Sequence, residues 1–206
     1  MRIFVIRHGE TEFNRDGFIQ GNIDSKLTEL GVRQSLLLAE ELKDADMDMI
    51  FSSTAQRAYL TARPIAAPRS LPIVMAPNFR ERAYGIYEEK SLAETKNAHP
   101  GLFATDSIGL DFNLKPKDGE SLNEVADRVL PFLKRLTDHL QKKTVVIVAH
   151  GIVNKIIVGQ LLDNSISKIS GYKQSNACIN EIILDNGAAK AVRLNYTKHL
   201  APLASK

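Results

Sequence analysis

The feature that most constrains this chain is a continuous β-branched run that stops at a histidine-glycine pair. Thr144 to Ala149 reads Thr-Val-Val-Ile-Val-Ala and is followed by His150-Gly151. The pattern also opens the chain: Arg2 to Ile6 carries four apolar side chains, three of them β-branched, and Arg7-His8-Gly9 follows. Apolar runs without polar alternation belong to strands buried on both faces, as in a parallel sheet covered by helices. In such a sheet ligands bind at the carboxyl ends of the strands, because the helices leave only that rim open. His8 and His150 are therefore expected on a rim. His-Gly also ends strands that have no function, so the remaining motifs have to decide.

The bulk properties set bounds. A chain of 206 residues can bury a core within one domain, and 44% hydrophobic with 25% charged residues are ordinary globular values. The excess of 27 Lys+Arg over 24 Asp+Glu is too small for a nucleic-acid surface, and no basic block with interleaved aromatics occurs. The single cysteine, Cys178, excludes an internal disulfide and a Cys-rich metal site and fits a reducing compartment, so a cytoplasmic location is expected. The longest apolar run, Val145 to Ala149, is strand-sized, and the N-terminus offers neither a secretory signal nor a membrane span. Neither a nucleic-acid nor a membrane partner is expected, and nothing in the sequence sets the oligomeric state, a homodimer included.

Along the chain, Glu10 to Lys26 reads as a long polar loop over the rim, punctuated by Gly17 and Gly21. Thr28 is placed to cap a helix whose apolar spacing runs through Val32, Leu36, Ala39 and Leu42, although Gly31 is an awkward first-turn residue. Met47 to Phe51 reads as a strand, Ser52-Ser53-Thr54 as capping hydroxyls, and Ala55 to Ala66 as a helix. Leu71 to Met75 is a third short strand. Residues 76–118, broken by Pro77, Pro100, Gly101, Gly109 and Pro116, read as an irregular insertion folded over the site. Ser121 and Glu124 form a capping box for a helix with a stripe of Val125, Val129, Phe132, Leu133, Leu136 and Leu140. A helix from Ile152 to Leu162 follows the second His-Gly, and Ala177 to Leu184 and Ala191 to Leu194 are joined through Asp185-Asn186-Gly187 as a hairpin. A loose tail is expected from Tyr196. The expected fold is a three-layer α/β/α sandwich, with a mostly parallel central sheet and an antiparallel edge, in one domain.

Arg57 falls in the first turn of its helix, where it opposes the helix dipole by up to about 1 kcal/mol, a cost that a bound anion offsets. If the three strands are adjacent, Arg7, His8, Arg57 and His150 converge. Phosphoryl transfer needs a nucleophile in line and cations on the equatorial oxygens, and these side chains supply both.

Arg7-His8-Gly9-Glu10-Thr11, with Asn14 and Gln20-Gly21, resembles the signature of the histidine phosphatase superfamily, in its phosphoglycerate mutase-like branch. The resemblance continues through Asp24, Leu27-Thr28, Gly31, Ser52-Ser53, Arg57, Ala58, Thr61, Ala62, Arg80-Glu81, Gly85, Gly119-Glu120-Ser121 and His150-Gly151, in order over most of the chain. It implies that His8 is the nucleophile of a phosphohistidine mechanism. It implies also that Arg7, Arg57 and His150 bind the phosphoryl group, that Asn14, Gln20, Gly21 and Gly151 line its pocket, and that Glu81 serves as general acid and then base. No metal and no cofactor are implied. By itself, Glu81 between Arg80 and Arg82 reads more simply as part of a solvated charge cluster. Two departures from the family pattern are Glu89 after Glu88, where a glycine is common, and Lys155, where the helix after the second histidine often carries an arginine.

Between Asp106 and Glu120 there are Lys115 and Lys117 but no arginine pair of the kind that clamps the substrate carboxylate in cofactor-dependent phosphoglycerate mutases. The expectation is a phosphomonoester hydrolase acting on a small phosphorylated metabolite. Lys90 to Thr95, somewhat like the mutase insertion, keeps that mutase as an alternative. A non-catalytic phosphate-binding or interaction module is the third reading, disfavoured by the complete residue set.

Overall fold

The computed structural model describes residues 1–103, 111–185 and 187–203. Its strands are β1 (Arg2–Arg7), β2 (Met49–Ser52), β3 (Ile73–Met75), β4 (Thr144–Ala149), β5 (Ile179–Asp185) and β6 (Ala188–Tyr196), in the spatial order β3-β2-β4-β1-β5-β6. The first four in that order are mutually parallel, and β5 and β6 close one side as an antiparallel pair. The helices are α1 (Glu12–Asp16), α2 (Glu29–Glu41), α3 (Gln56–Ala66), α4 (Leu92–Ala98), α5 (Leu122–His139) and α6 (Gly151–Asp163).

The β-branched runs are explained by two cores. Along β4, Val145, Ile147 and Ala149 face a core shared with α5 and α6, while Val146 and Val148 face a second core shared with α2 and α3. β1 alternates in register, with Ile3 and Val5 on one side and Phe4 and Ile6 on the other. Neither strand has a solvent face, so neither carries polar alternation. The expected three-layer arrangement, mostly parallel with an antiparallel edge, is the one observed.

Several local expectations need correction. The long loop after Gly9 contains α1, capped by Thr11 and Asn14 in a reciprocal capping box. α2 is capped by Thr28 as expected, but its buried face is Gly31, Gln34, Ser35 and Leu38, and Val32 and Leu36 are exposed. The reason is that the start of α2 packs on the loop after β1 as well as on the sheet: Gln34 accepts the Glu10 N–H at 2.8 Å. A Cβ on Gly31 would lie 2.0 Å from the Glu10 carbonyl oxygen, which accounts for glycine in that first turn. The N-cap of α3 is Ala55, without a side-chain cap. The insertion is less irregular than expected, since it includes α4; its residues 104–110 and the hairpin residue Asn186 lie outside the described residues. The tail is not loose: it folds back as a 3-10 helix over Lys198–Leu203 and buries His199 against Tyr196.

Candidate active site

β1 and β4 are parallel neighbours with Arg7 opposite Ala149, so His8 and His150 leave the sheet side by side. Their ring centroids are 5.2 Å apart at 61°, and both residues are almost wholly buried. β2 lies on the other side of β4, and the residues after it deliver Ser53 and Arg57 to the same rim. The convergence expected from two His-Gly punctuations and one helix N-terminus is present.

The hydrogen bonds fix the ring tautomers. His8 Nδ1 stands 2.7 Å from the Gly9 carbonyl, which can only accept, so Nδ1 carries the proton and Nε2 is left with a free lone pair. Burial first, then Arg57 and Arg7, hold this imidazole well below the usual 6.5, so it is neutral. His150 has the opposite tautomer: Nδ1 accepts from Arg57 Nε at 3.3 Å and Nε2 faces Ser53 Oγ at 2.8 Å. It too is held well below 6.5, by burial and then by Arg57. Both of its ring nitrogens are engaged, so a part in binding a phosphoryl group requires one of those bonds to be exchanged.

Arg57 is 1% exposed. It donates to the Ile23 carbonyl at 2.9 Å, to Asp24 at 2.6 Å, to the Gly21 carbonyl at 2.7 Å and to His150. A guanidinium has five N–H groups and these contacts use four, which leaves one on Nη2 for a ligand. Gly21 therefore serves Arg57 through its carbonyl. Gln20 faces away, its amide bonded to Thr11 and Ser25, and so braces the loop. Asn14 accepts from Thr11 and from Asn176, which leaves its own NH2 group.

Glu81 joins from the insertion. One carboxylate oxygen accepts the Arg82 N–H at 2.9 Å and the other the Ile152 N–H at 3.2 Å, which sets it at the N-terminus of α6 beside Gly151. Its neighbour Arg82 is buried at 1% exposure and donates to the carbonyls of Leu102, Leu114 and Glu120, so the expected solvated charge cluster does not exist. Arg128, paired with Glu120, donates to the carbonyls of Asn78, Arg80 and Glu81 and pins the segment that carries the carboxylate. Tyr84, pushed up to about 12 by burial, stays a phenol near Glu81. Lys155 is half-buried on α6, one turn beyond Gly151. Burial lowers its ammonium and Glu81 opposes that shift, yet it makes no ion pair among the described residues.

One bracing segment had no signal in the sequence. Gln174 gives its carbonyl to Arg7 Nη1 at 2.6 Å, and its amide is locked against Asn180. Asn176 donates to the carbonyls of His8 and Gly9, and the N–H of Ala177 to that of His8 at 3.1 Å. Ala177 has a φ of 54°, a left-handed conformation that costs a non-glycine residue about 1 kcal/mol. Partners so distant in sequence, many of them backbone carbonyls, leave no pattern that a motif search can detect.

These pKa directions carry a stability prediction. His8, His150 and His199 all have depressed values in the fold, so below 6.5 the unfolded chain binds protons that the native chain does not. Stability is then full above 6.5 and falls as pH drops below it, by up to about 1.4 kcal/mol per pH unit for each ring until the folded value is reached. Urea midpoints over a pH series should show this loss. His199→Phe, which retains a ring against Tyr196, should make it shallower by one proton, whereas an unchanged slope would mean that His199 titrates normally in the fold.

Two imidazoles of opposite tautomer, two guanidinium groups and a carboxylate on the rim of a parallel sheet define a site for a tetrahedral oxyanion. The pattern of the histidine phosphatase superfamily (branch 1) matches residues 3–197, and the chain belongs to that family. It is 30% identical over 200 residues to phosphoserine phosphatase 1 of Hydrogenobacter thermophilus, covering 97% of this chain and 94% of that one. It is 31% identical over 188 residues to the metal-independent phosphoserine phosphatase of Arabidopsis thaliana, covering 88% of this chain and 76% of that one. Among solved structures, mycobacterial glucosyl-3-phosphoglycerate phosphatase with VO3 superposes with a TM-score of 0.84 at 27% identity, covering 95% and 99% of the two chains.

Proposed function

We propose that this chain is a metal-independent phosphomonoester hydrolase that works through a phosphohistidine on a small phosphorylated metabolite. The observation that carries the reading is the free Nε2 lone pair of a neutral His8 beside Arg7, Arg57 and His150. Nε2 attacks phosphorus and the ester P–O bond breaks. The leaving alkoxide takes the proton of Glu81, which enters the step as a carboxylic acid and leaves it as a carboxylate, while the Gly9 carbonyl holds the Nδ1–H of the phosphorylated ring. Water then attacks phosphorus, the Glu81 carboxylate takes its proton, the P–N bond breaks, and neutral His8 and inorganic phosphate result. Arg7 and the remaining Nη2–H of Arg57 neutralise the equatorial oxygens, and Asn14 offers its NH2 group.

One domain carries the whole reaction, with the described parts of the insertion, 76–103 and 111–118, over the site. Relatives named for phosphoserine and for a glucosyl phosphoglycerate support a substrate that bears a carboxylate near the phosphate, and Lys155, without an ion pair among the described residues, suits such a group. Among the described residues no helix is long and apolar enough to cross a membrane, and a cytoplasmic setting belongs to this reading.

The test is hydrolysis of 4-nitrophenyl phosphate in EDTA, followed by a panel of phosphorylated metabolites. Activity that EDTA abolishes would point to a metal enzyme, and no turnover on any substrate to a binding module. Rapid conversion of 3-phosphoglycerate to 2-phosphoglycerate with 2,3-bisphosphoglycerate present would make the protein a mutase. Glu81→Gln should slow alkyl phosphates roughly 100-fold or more and aryl phosphates far less, because only poor leaving groups need a proton in the transition state. Equal losses on both would assign the acid elsewhere.

A further inference from the structure

Arg7 is gripped on one side only. Its Nη1 donates to the Gln174 carbonyl, but its Nε is buried with no partner among the described residues. A second group in the same condition lies on α6: Asn154 is 0% exposed, and neither its Oδ1 nor its Nδ2 has a partner among the described residues. Enclosing an amide that makes no hydrogen bond is destabilising, and neighbouring α6 positions are filled by Val153, Ile156 and Ile157 of the core, so an apolar side chain would be the ordinary occupant here. The two unmet demands are complementary, since Nε–H can only donate and Oδ1 can only accept.

Helix geometry turns them toward each other. Gly151 and Asn154 are three residues apart and share a face of α6. A Cβ on Gly151 would stand 3.9 Å from Arg7 Nε and 4.0 Å from its Cζ, so that face looks onto the guanidinium. Side chains on a helix lean over the turn that precedes them, which carries the Asn154 amide toward Gly151, a residue with no side chain of its own, where Glu81 Oε2 lies 3.6 Å from the same Cβ position.

We propose that Asn154 is a positioning residue for Arg7: the two are not bonded in the free protein, and when a phosphoryl group binds, the Asn154 Oδ1 turns to receive the Nε–H and, with the Gln174 carbonyl, fixes the plane in which the other guanidinium N–H groups meet the phosphoryl oxygens. A planar fork held at two points presents its remaining donors in one orientation, whereas a fork held at Nη1 alone does not. In this role Asn154 acts through Arg7 and not on the phosphoryl group itself. The proposal rests on the phosphatase reading, and its test separates the two.

The probe is orthovanadate, titrated calorimetrically into the full-length protein, with 4-nitrophenyl phosphate kinetics and thermal melting alongside. Asn154→Leu should weaken vanadate binding about tenfold and lower kcat/KM by a similar factor. It should melt at or above the wild-type temperature, because leucine removes an amide that is unpaired in the free protein and leaves Arg7 Nε no worse off than it already is. In an Arg7→Lys background, which lacks the Nε–H, the same substitution should change affinity by less than about twofold. Asn154→Ser serves as a second variant if leucine is not accommodated, with the same expected direction and the same dependence on Arg7. Unchanged vanadate affinity in Asn154→Leu, or an equal loss in both backgrounds, overturns the proposal and leaves the phosphatase reading standing. Wild-type protein that neither binds vanadate nor hydrolyses the ester overturns that reading, and this proposal with it.

Discussion

His8→Gln is expected to reduce phosphatase turnover by at least about 1,000-fold while leaving the fold intact. Glutamine has nearly the reach of histidine but an amide nitrogen without a lone pair to give, so the chemical step loses its nucleophile. His8 sits at the end of β1 with Nδ1 on the Gly9 carbonyl, and its main chain is held independently by Ala149, Ala177 and Asn176. The backbone therefore survives the change. Circular dichroism and thermal melting check the fold, and 4-nitrophenyl phosphate kinetics check the loss. A variant that kept more than about a tenth of the wild-type rate would place the nucleophile on another residue.

Arg57→Leu has the second largest expected effect, and it should appear in stability as well as in rate. The guanidinium serves the Gly21 and Ile23 carbonyls, Asp24 and His150 from a position 1% exposed to solvent. Leucine fills much of the space but leaves those acceptors unpaired, at a cost of roughly 2–4 kcal/mol. It also releases the 21–24 segment and frees the His150 ring, so kcat/KM should fall at least about 100-fold. Arg57→Lys keeps the charge but not the fork and should recover only part of either quantity. Urea unfolding and steady-state kinetics on the three proteins test this, and a Leu variant as stable as wild type would contradict the bonding described for Arg57.

Some of this molecule could be read from its sequence because single physical causes wrote it there. Burial on both faces produced the β-branched runs, and the sharp exits from β1 and β4 produced the His-Gly pairs, so the sheet centre and the His8–His150 pairing were legible together. Ser121 and Glu124 signalled the start of α5 for the same kind of reason, since a reciprocal cap has a fixed spacing. Thr11 and Asn14 form a box of the same kind for α1, but Asn in the third position is a weaker signal than Glu or Gln, and the segment reads as a loop.

Other features had causes that are not local. Val32 and Leu36 follow helical spacing, yet Gln34 and Ser35 are buried instead because the loop after β1, not only the sheet, covers α2. Arg82 looked solvated beside Arg80 and Glu81, and its burial follows from three backbone carbonyls of the insertion and its approach. The clamp of Gln174 and Asn176 on the first loop depends on the antiparallel return of β5 alongside β1, which brings the residues before Ile179 to the rim.

The account turns on a covalent bond between phosphorus and His8 Nε2. Its direct measurement is rapid quenching of the wild-type protein with substrate into alkali, followed by peptide mass spectrometry. The expected result is one added phosphoryl group on the peptide containing His8, stable in alkali, lost in acid, and absent from His8→Gln. A wild-type protein turning over substrate with no such adduct, or with the phosphoryl group on His150 or on a hydroxyl, would contradict it.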